Sequence, residues 1–172
     1  MNYGEESEPE LSPTERMVAF QRHMKIEESG LGLYLTSLPF TPDPFQVQAL
    51  EEVALGESVL VCAPTGSGKT VVGEGAADLA LRRGQRVFYT TPIKALSNQK
   101  LHDFQERFGP DQVGLLTGDT TFNADAPIVV MTTEVLRNMI YQGTNLESLG
   151  VVVLDEVHYL SDKFRGPVWE EV

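Results

Sequence analysis

The chain has 172 residues, of which 41% are hydrophobic and 22% charged, and its formal net charge at pH 7 is −12. These values predict one globular domain, and the acidic balance argues against a protein that holds nucleic acid with a broadly basic surface. No apolar run approaches the roughly 18 residues of a membrane-spanning helix, the acidic N-terminus is unlike a signal peptide, and the single cysteine cannot form an internal disulfide, so we expect a cytoplasmic protein without membrane contact.

The first 34 residues have the pattern of an acidic tail followed by one helix. Residues 1–10 contain four glutamates and little apolar surface, which is typical of a mobile tail. Ser12-Pro-Thr-Glu15 has the form of a capping box with proline at the first helical position, and it predicts a helix to about Glu28. We therefore expect residues 1–34 to be a tail with an N-terminal helix and residues 35–172 to form one domain.

A further helix is predicted from Asp43-Pro44 to Gly56, with the aspartate as N-cap and the proline at the first helical position. Gln46 lies in its first turn, and Phe40 lies shortly before it. Taken alone, Gln46 would be a surface residue and Phe40 a core residue. If the loop that follows binds a nucleotide, however, the amide can bond the edge of an adenine and the ring can stack on its face.

Residues 63–70, Ala-Pro-Thr-Gly-Ser-Gly-Lys-Thr, have the spacing of a phosphate-binding loop. The apolar run 58–62 before it predicts a buried strand that ends in a core cysteine, and a helical pattern follows it. Glycines permit the backbone angles that direct several N–H groups at one anion. Lys69 would reach the β- and γ-phosphates, and the hydroxyl of Thr70 would bind Mg²⁺.

We expect this loop to bind a nucleoside triphosphate, and a solvated glycine turn is the alternative. The expected nucleotide contacts are Ala63, Pro64, Thr65, Gly66, Ser67, Gly68, Lys69 and Thr70.

Strands and helices alternate along the rest of the chain. Strands are predicted over residues 86–90, 113–116 and 128–131, with helices after the first and third of them. This alternation predicts an α/β fold in which a parallel sheet is covered by helices on both faces.

The last predicted strand covers residues 151–154, and its continuous apolar sequence is typical of a parallel strand buried on both faces. Asp155-Glu-Val-His158 follows it directly. Asp155 is expected to bind Mg²⁺, through water, and Glu156 to orient and deprotonate an attacking water. Two solvated acids at a strand end would explain this motif if it stood alone, but it follows a phosphate-binding loop in an α/β pattern.

Together these motifs resemble those of the DExH-box helicases of superfamily two, in particular the superkiller and exosome-associated RNA helicases with their bacterial relatives. In these helicases the first loop position is commonly alanine, as it is at Ala63. The likeness covers roughly residues 35–172. Its segments are residues 43–46, 63–70, 91–99, 117–119, 132–134 and 155–158, and the tail 162–170, which looks especially like that group.

The resemblance implies a RecA-like first motor domain that uses ATP and Mg²⁺. Its catalytic residues would be Lys69, Asp155, Glu156 and His158, with the histidine between the ATP site and a track for single-stranded nucleic acid, RNA by this resemblance. Contacts along the track would be to the nucleic-acid backbone without base readout, although each residue has an alternative role in a loop or cap. The residues are Pro92, Lys94, Asn98, Gly118, Thr132 and Thr133.

The resemblance also implies a longer protein. Its members continue into a Ser-Ala-Thr motif, whose strand lies between the strands that precede Lys69 and Asp155, and then into a second RecA-like domain with an arginine finger. We therefore expect a domain that is incomplete at its C-terminus and inactive alone. Its function would be the N-terminal ATP-binding half of an ATP-dependent RNA helicase, with a non-catalytic nucleotide-binding fragment or a DNA-repair helicase of the same superfamily as alternatives.

Overall fold

The computed structural model describes residues 11–144, 146–162 and 166–172, and the chain divides into two units after Val61. The predicted tail over residues 1–10 and part of the tail motif, residues 163–165, lie outside the described residues. The expected domain boundary between residues 34 and 35 stays a prediction. No helix within the described ranges is long and apolar enough to cross a membrane.

Within residues 11–61, the described part of the N-terminal unit, the structure has three helices: α1 (Pro13–Glu28), α2 (Leu31–Thr36) and α3 (Pro44–Leu55). The predicted capping box at the start of α1 is present, because the Ser12 hydroxyl accepts from the N–H of Glu15 and the Glu15 carboxylate accepts from the N–H of Ser12. These hydrogen bonds hold the pKa of Glu15 below its usual value. Helix α3 begins with the predicted Asp43 N-cap and Pro44.

The C-terminal unit alternates helices and strands, as predicted. Its elements are α4 (Thr70–Arg82), β1 (Arg86–Thr91), α5 (Lys94–Phe108), β2 (Val113–Leu116), β3 (Thr121–Phe122), β4 (Ile128–Thr132), α6 (Thr133–Tyr141), β5 (Leu149–Leu154) and α7 (Gly166–Glu170), with short 3-10 turns at Pro110–Gln112 and Val157–Ser161.

The strands form one sheet in the order β3-β2-β4-β1-β5. All neighbours are parallel except the two-residue β3, which is antiparallel to β2. Thr91 of β1 pairs with Thr132 of β4, and Thr90 pairs with Leu154 of β5. The carboxyl ends of three strands therefore meet at one edge of the sheet, where an α/β fold commonly binds its ligands.

Two apolar clusters show that helices cover both faces of this sheet. On one face, Tyr89 and Val130 pack with Ala77 of α4 and Phe104 of α5. On the other, Phe88 and its neighbours on β4 pack against Leu136 of α6. Because successive strand residues point to opposite faces, the adjacent aromatic residues of β1 serve the two clusters separately.

The strand predicted over residues 58–62 is not formed in the described structure. Leu60 is 74% exposed, and Cys62, predicted to be a core residue, is exposed as well. An extended segment gains strand stability only from backbone pairing with a neighbour, and none of the five strands in the described sheet pairs with this run. The prediction from local apolarity was therefore wrong.

Strand β5 also differs from its prediction, because it is not buried on both faces. Its residues alternate between half-buried and exposed, and Val152 is 41% exposed. Helix α4 packs near β5 on one face, whereas α6 lies near β4 and β1 on the other. As the last strand in the order, β5 has a free edge among the described residues.

Gly114→Ala is expected to destabilise the sheet. A Cβ at this β2 position would overlap the carbonyl oxygen of Asn123 and lie 2.9 Å from that of Phe122, both of which are backbone atoms. Overpacking of this kind costs about 1–3 kcal/mol, so the denaturant midpoint should fall clearly. Gly118→Ala is the control, because its Cβ would meet no atom within 4 Å. Equal stability of the two variants would contradict the close approach of β2 and β3.

Candidate functional site

The loop before α4 has the backbone shape that its glycines predicted. Gly66 and Gly68 have φ angles of 82° and 79°, in the left-handed region that residues with a side chain rarely adopt. Helix α4 begins directly afterwards at Thr70. Loop N–H groups and the positive end of the helix dipole are therefore close together in the chain, as at anion-binding helix N-termini.

The polar side chains of the loop suit an anionic ligand. The ammonium group of Lys69 donates to the carbonyl oxygens of Ala63 at 2.7 Å and Pro64 at 2.8 Å, so the lysine folds back over its own loop. The hydroxyl of Ser67 is buried and has no hydrogen-bond partner among the described residues. A buried hydroxyl without a partner is costly, and a phosphate oxygen would accept from it.

Thr70, a predicted Mg²⁺ ligand, has a partner that the sequence did not suggest. Its Oγ1 accepts from the ammonium of Lys100 on α5 at 3.4 Å, and that ammonium lies 3.7 Å from Asp103. Glu74 belongs to the same charged region and lies 3.5 Å from Arg107. Burial raises the pKa of Glu74, although the charges of Arg107 and Lys100 oppose that effect.

Asp155, the other predicted Mg²⁺ ligand, is held by both of its carboxylate oxygens. Its Oδ2 accepts from the hydroxyl of Tyr89 at 2.7 Å, and its Oδ1 accepts from the N–H of Glu156 at 2.9 Å. Its own N–H donates to the carbonyl of Thr90 and so continues the pairing of β1 with β5. Burial and the neighbouring carboxylate raise the pKa of Tyr89.

The described residues contain no group of three or more His, Cys, Asp and Glu side chains that could hold a metal without other ligands. Mg²⁺ commonly takes one or two protein oxygens, several waters and the phosphates of its nucleotide. Thr70 and Asp155 supply oxygen donors of the type that this ion prefers.

The structure brings Glu156 and His158 together. The Nδ1 of His158 lies 3.1 Å from the carboxylate of Glu156, and both side chains are exposed. Glu156 has a φ angle of 59°, which is uncommon for a residue with a side chain. Strained backbone of this kind is often found at functional sites.

Five of the six predicted track residues lie at or just after the carboxyl ends of β1, β2 and β4, and Asn98 lies in the second turn of α5. Only three of the six are exposed. Lys94, Asn98 and Gly118 are accessible, whereas Pro92, Thr132 and Thr133 are buried. The Thr133 hydroxyl donates to the carbonyl of Thr91 at 3.3 Å, and this hydrogen bond links the start of α6 to the end of β1.

Lys94 already has an acidic partner. Its ammonium donates to both carboxylate oxygens of Asp119, at 2.8 and 2.7 Å, and to the Thr120 hydroxyl. The hydrogen bonds from Lys94 and from Thr117 hold the pKa of Asp119 below its usual value. An anion that approaches Lys94 must therefore compete with this carboxylate.

Phe40 and Gln46 belong to the N-terminal unit. Gln46 is buried, and its side-chain oxygen accepts from the N–H of Asp43 at 2.8 Å as part of the α3 capping box. The exposed fraction of Phe40 is 48%. Gln46 is thus not the surface residue it would be if taken alone, and the adenine-binding roles of both residues stay predictions.

Sequence reasoning missed Tyr89 and Lys100. Tyr89 is a strand residue whose aromatic ring suits the core, so the sequence pattern indicates no separate role for its hydroxyl. The pairing of Tyr89 with Val153 places it near Asp155, but that register is a property of the folded sheet. A polar group on a buried strand that needs a partner was the only available signal.

Comparisons with known proteins show which family this chain resembles. The DEAD/DEAH box helicase family model matches residues 43–172. The chain is 58% identical over 147 residues to the probable helicase HelY of Mycobacterium tuberculosis, covering 85% of this chain and 16% of that protein. It is 50% identical over 165 residues to the chloroplastic DExH-box ATP-dependent RNA helicase DExH15 of Arabidopsis thaliana, covering 92% of this chain and 14% of that one.

Among solved structures, a hypothetical ATP-dependent RNA helicase from Sulfolobus tokodaii superposes with a TM-score of 0.61 at 24% identity. The match covers 86% of this chain and 45% of that one, and it shows the shared RecA-like α/β fold. The chain spans about one sixth of the length of HelY and about one seventh of the length of DExH15.

Proposed function

The chain belongs to the DEAD/DEAH box helicase family, and from that premise we propose that it is the N-terminal ATP-binding part of a longer ATP-dependent RNA helicase. The observation that carries the proposal is the loop before α4, with its left-handed glycines, its lysine and its unpartnered buried hydroxyl. Relatives such as DExH15 are named as RNA helicases, which supports this choice over a DNA-repair helicase.

In this proposal the triphosphate lies on residues 63–70. Lys69 exchanges its two carbonyl partners for phosphate oxygens, and Ser67 donates its hydroxyl to the same group. Thr70 and Asp155 would hold Mg²⁺, and the bound ion would supply positive charge next to the phosphates. The alternative of a non-catalytic nucleotide-binding fragment would need only these contacts.

Glu156 is the residue that distinguishes catalysis from binding. It follows the carboxylate that would hold the metal, and it projects from a strained turn at the carboxyl end of β5. From this place it can accept a proton from the attacking water. His158 contacts Glu156. By the resemblance, this histidine would lie between the base and the nucleic-acid track and would couple them.

The track would use its exposed members, Lys94, Asn98 and Gly118, for the phosphodiester backbone of single-stranded RNA. Its buried members, Pro92 and the two threonines, would hold the strand ends in place. One lysine beside one acid is a modest electrostatic contact, and this agrees with the acidic composition of the chain.

The activity is proposed for the longer protein. Strand β5 presents a free edge within the described sheet, and we propose that a further strand pairs with it there. A second RecA-like domain, a cytoplasmic location and the inactivity of residues 1–172 alone remain predictions from the resemblance and the composition.

Lys69→Ala should weaken Mg-ATP binding by the full-length protein by about 10-fold or more, because a charge-assisted hydrogen bond contributes about 1.5–3 kcal/mol. Lys94→Ala should leave this affinity nearly unchanged. Calorimetric titration of both variants measures the difference. Equal losses would show that the loop lysine has no special part in holding the nucleotide.

Glu156→Gln should keep ATP binding while hydrolysis falls by about 10²–10⁴-fold, which is the usual contribution of a positioned general base. The amide retains the size of the side chain but cannot accept the proton. Steady-state ATPase rates with single-stranded RNA, beside ATP affinity from calorimetry, test this. A glutamine variant with normal turnover would assign the base to another residue.

Asp119→Asn should strengthen single-stranded RNA binding by several-fold, because it frees Lys94 from its carboxylate partner. Lys94→Ala should weaken binding and reduce the salt dependence by about one phosphate contact. The double variant should bind like Lys94→Ala alone. Fluorescence anisotropy at several salt concentrations measures all three variants, and a gain from Asp119→Asn that persists without Lys94 would exclude this competition.

A further inference from the structure

The hydroxyl of Tyr89 is held in place by packing from two helices. The side chain is 1% exposed, and its ring meets that of Phe104 on α5 edge to face, with centroids 4.9 Å apart. Helix α4 approaches so closely at Gly73 that an added Cβ would lie 3.2 Å from the ring. The ring therefore has little freedom, and its hydroxyl stays beside Asp155.

A side-chain carboxylate such as that of Asp155 is not the usual hydrogen-bond partner of a buried tyrosine hydroxyl. Most side-chain hydrogen bonds go to backbone or water, and the adjacent Thr90 illustrates this, since its hydroxyl donates to the carbonyl of Val153 on β5. Tyr89 instead donates to a side-chain carboxylate. With the N–H of Glu156 on the other oxygen, the carboxylate has one donor on each side and a defined orientation.

The same ring is near the other proposed metal ligand. The ammonium of Lys100 lies 5.8 Å from the ring centroid of Tyr89 and donates to the Thr70 hydroxyl. A path of contacts thus runs from Thr70 through Lys100 and Tyr89 to Asp155. It joins the first turn of α4 to the end of β5 through side chains of α5 and β1.

We propose that Tyr89 is a positioning residue for the Mg²⁺ site. Its hydroxyl holds the Asp155 carboxylate in the orientation that binding of the nucleotide-bound ion requires. The inference rests on the proposed function, because it assumes that Asp155 and Thr70 serve the metal. Partners that orient metal ligands in this way typically contribute 10–100-fold to metal affinity or activity.

The test is Tyr89→Phe in the full-length protein, which removes the hydroxyl and keeps the ring. ADP binding is titrated by calorimetry over a range of Mg²⁺ concentrations. The Mg²⁺ concentration that gives half of the metal-dependent gain in affinity should rise by about tenfold. Binding of ADP without Mg²⁺ should be unchanged within about twofold, because the loop contacts do not involve Tyr89.

Thr90→Val is the matched control, because it removes a hydroxyl bond between the same two strands from the neighbouring residue. Its Mg²⁺ requirement should equal that of the wild type, even if its melting temperature falls. An equal rise in both variants would assign the effect to the pairing of the strands and overturn the inference.

A double variant separates positioning from packing. In an Asp155→Asn background, adding Tyr89→Phe should change the Mg²⁺ requirement no further, whereas a general disturbance of the site would add to it. If Tyr89→Phe does not fold, Gly73→Ala replaces it, since its Cβ presses on the ring and should raise the requirement in the same direction.

The outcomes distinguish the inference from its premise. A wild-type protein without Mg²⁺-dependent ADP binding would overturn the proposed function and this inference with it. A wild type with normal binding and a Tyr89→Phe or Gly73→Ala variant with an unchanged Mg²⁺ requirement would overturn the inference alone.

Discussion

Parallel pairing of β1 with β5 positions the candidate catalytic groups of the C-terminal unit. The pairing ends where the N–H of Asp155 donates to the carbonyl of Thr90. The acidic motif, residues 155–158, therefore begins beside the carboxyl end of β1. The same register brings the hydroxyl of Tyr89 to the Asp155 carboxylate. Since β1 is buried along its length between β4 and β5, a shift of its register would move all of these groups together.

The two lysines proposed to meet phosphates each bond protein oxygens in the structure. Lys69 lies on two loop carbonyls, and Lys94 lies on Asp119. When a phosphate binds, each lysine therefore replaces its protein acceptors with phosphate oxygens. This limits the desolvation cost of binding. The strength of the protein contacts that are lost also enters the binding affinity. The net charge of −12 does not by itself exclude the proposed nucleic-acid role, because contacts to a nucleic-acid backbone depend on a few locally placed groups.

Elements whose stability depends on near neighbours in the chain were predicted well. The capping residues of α1 and α3, the glycine loop before α4 and the helix that follows this loop result from local rules of geometry and periodicity. The run 58–62 and the burial of β5 were predicted wrongly. Apolar sequence indicates that a strand can be buried, but whether it is buried depends on which strands and helices lie beside it.

For the site, the sequence alone determined the residue types and their spacing: a lysine and a threonine after a glycine loop, and two acids after an apolar strand. Those signals are local, because the loop, the helix start and the strand end are contiguous in the chain. Only the tertiary structure decided that Tyr89 and Lys100 join them and that half of the expected track is buried. Contacts of this kind link residues up to 66 positions apart, and their register is determined by packing across the whole sheet.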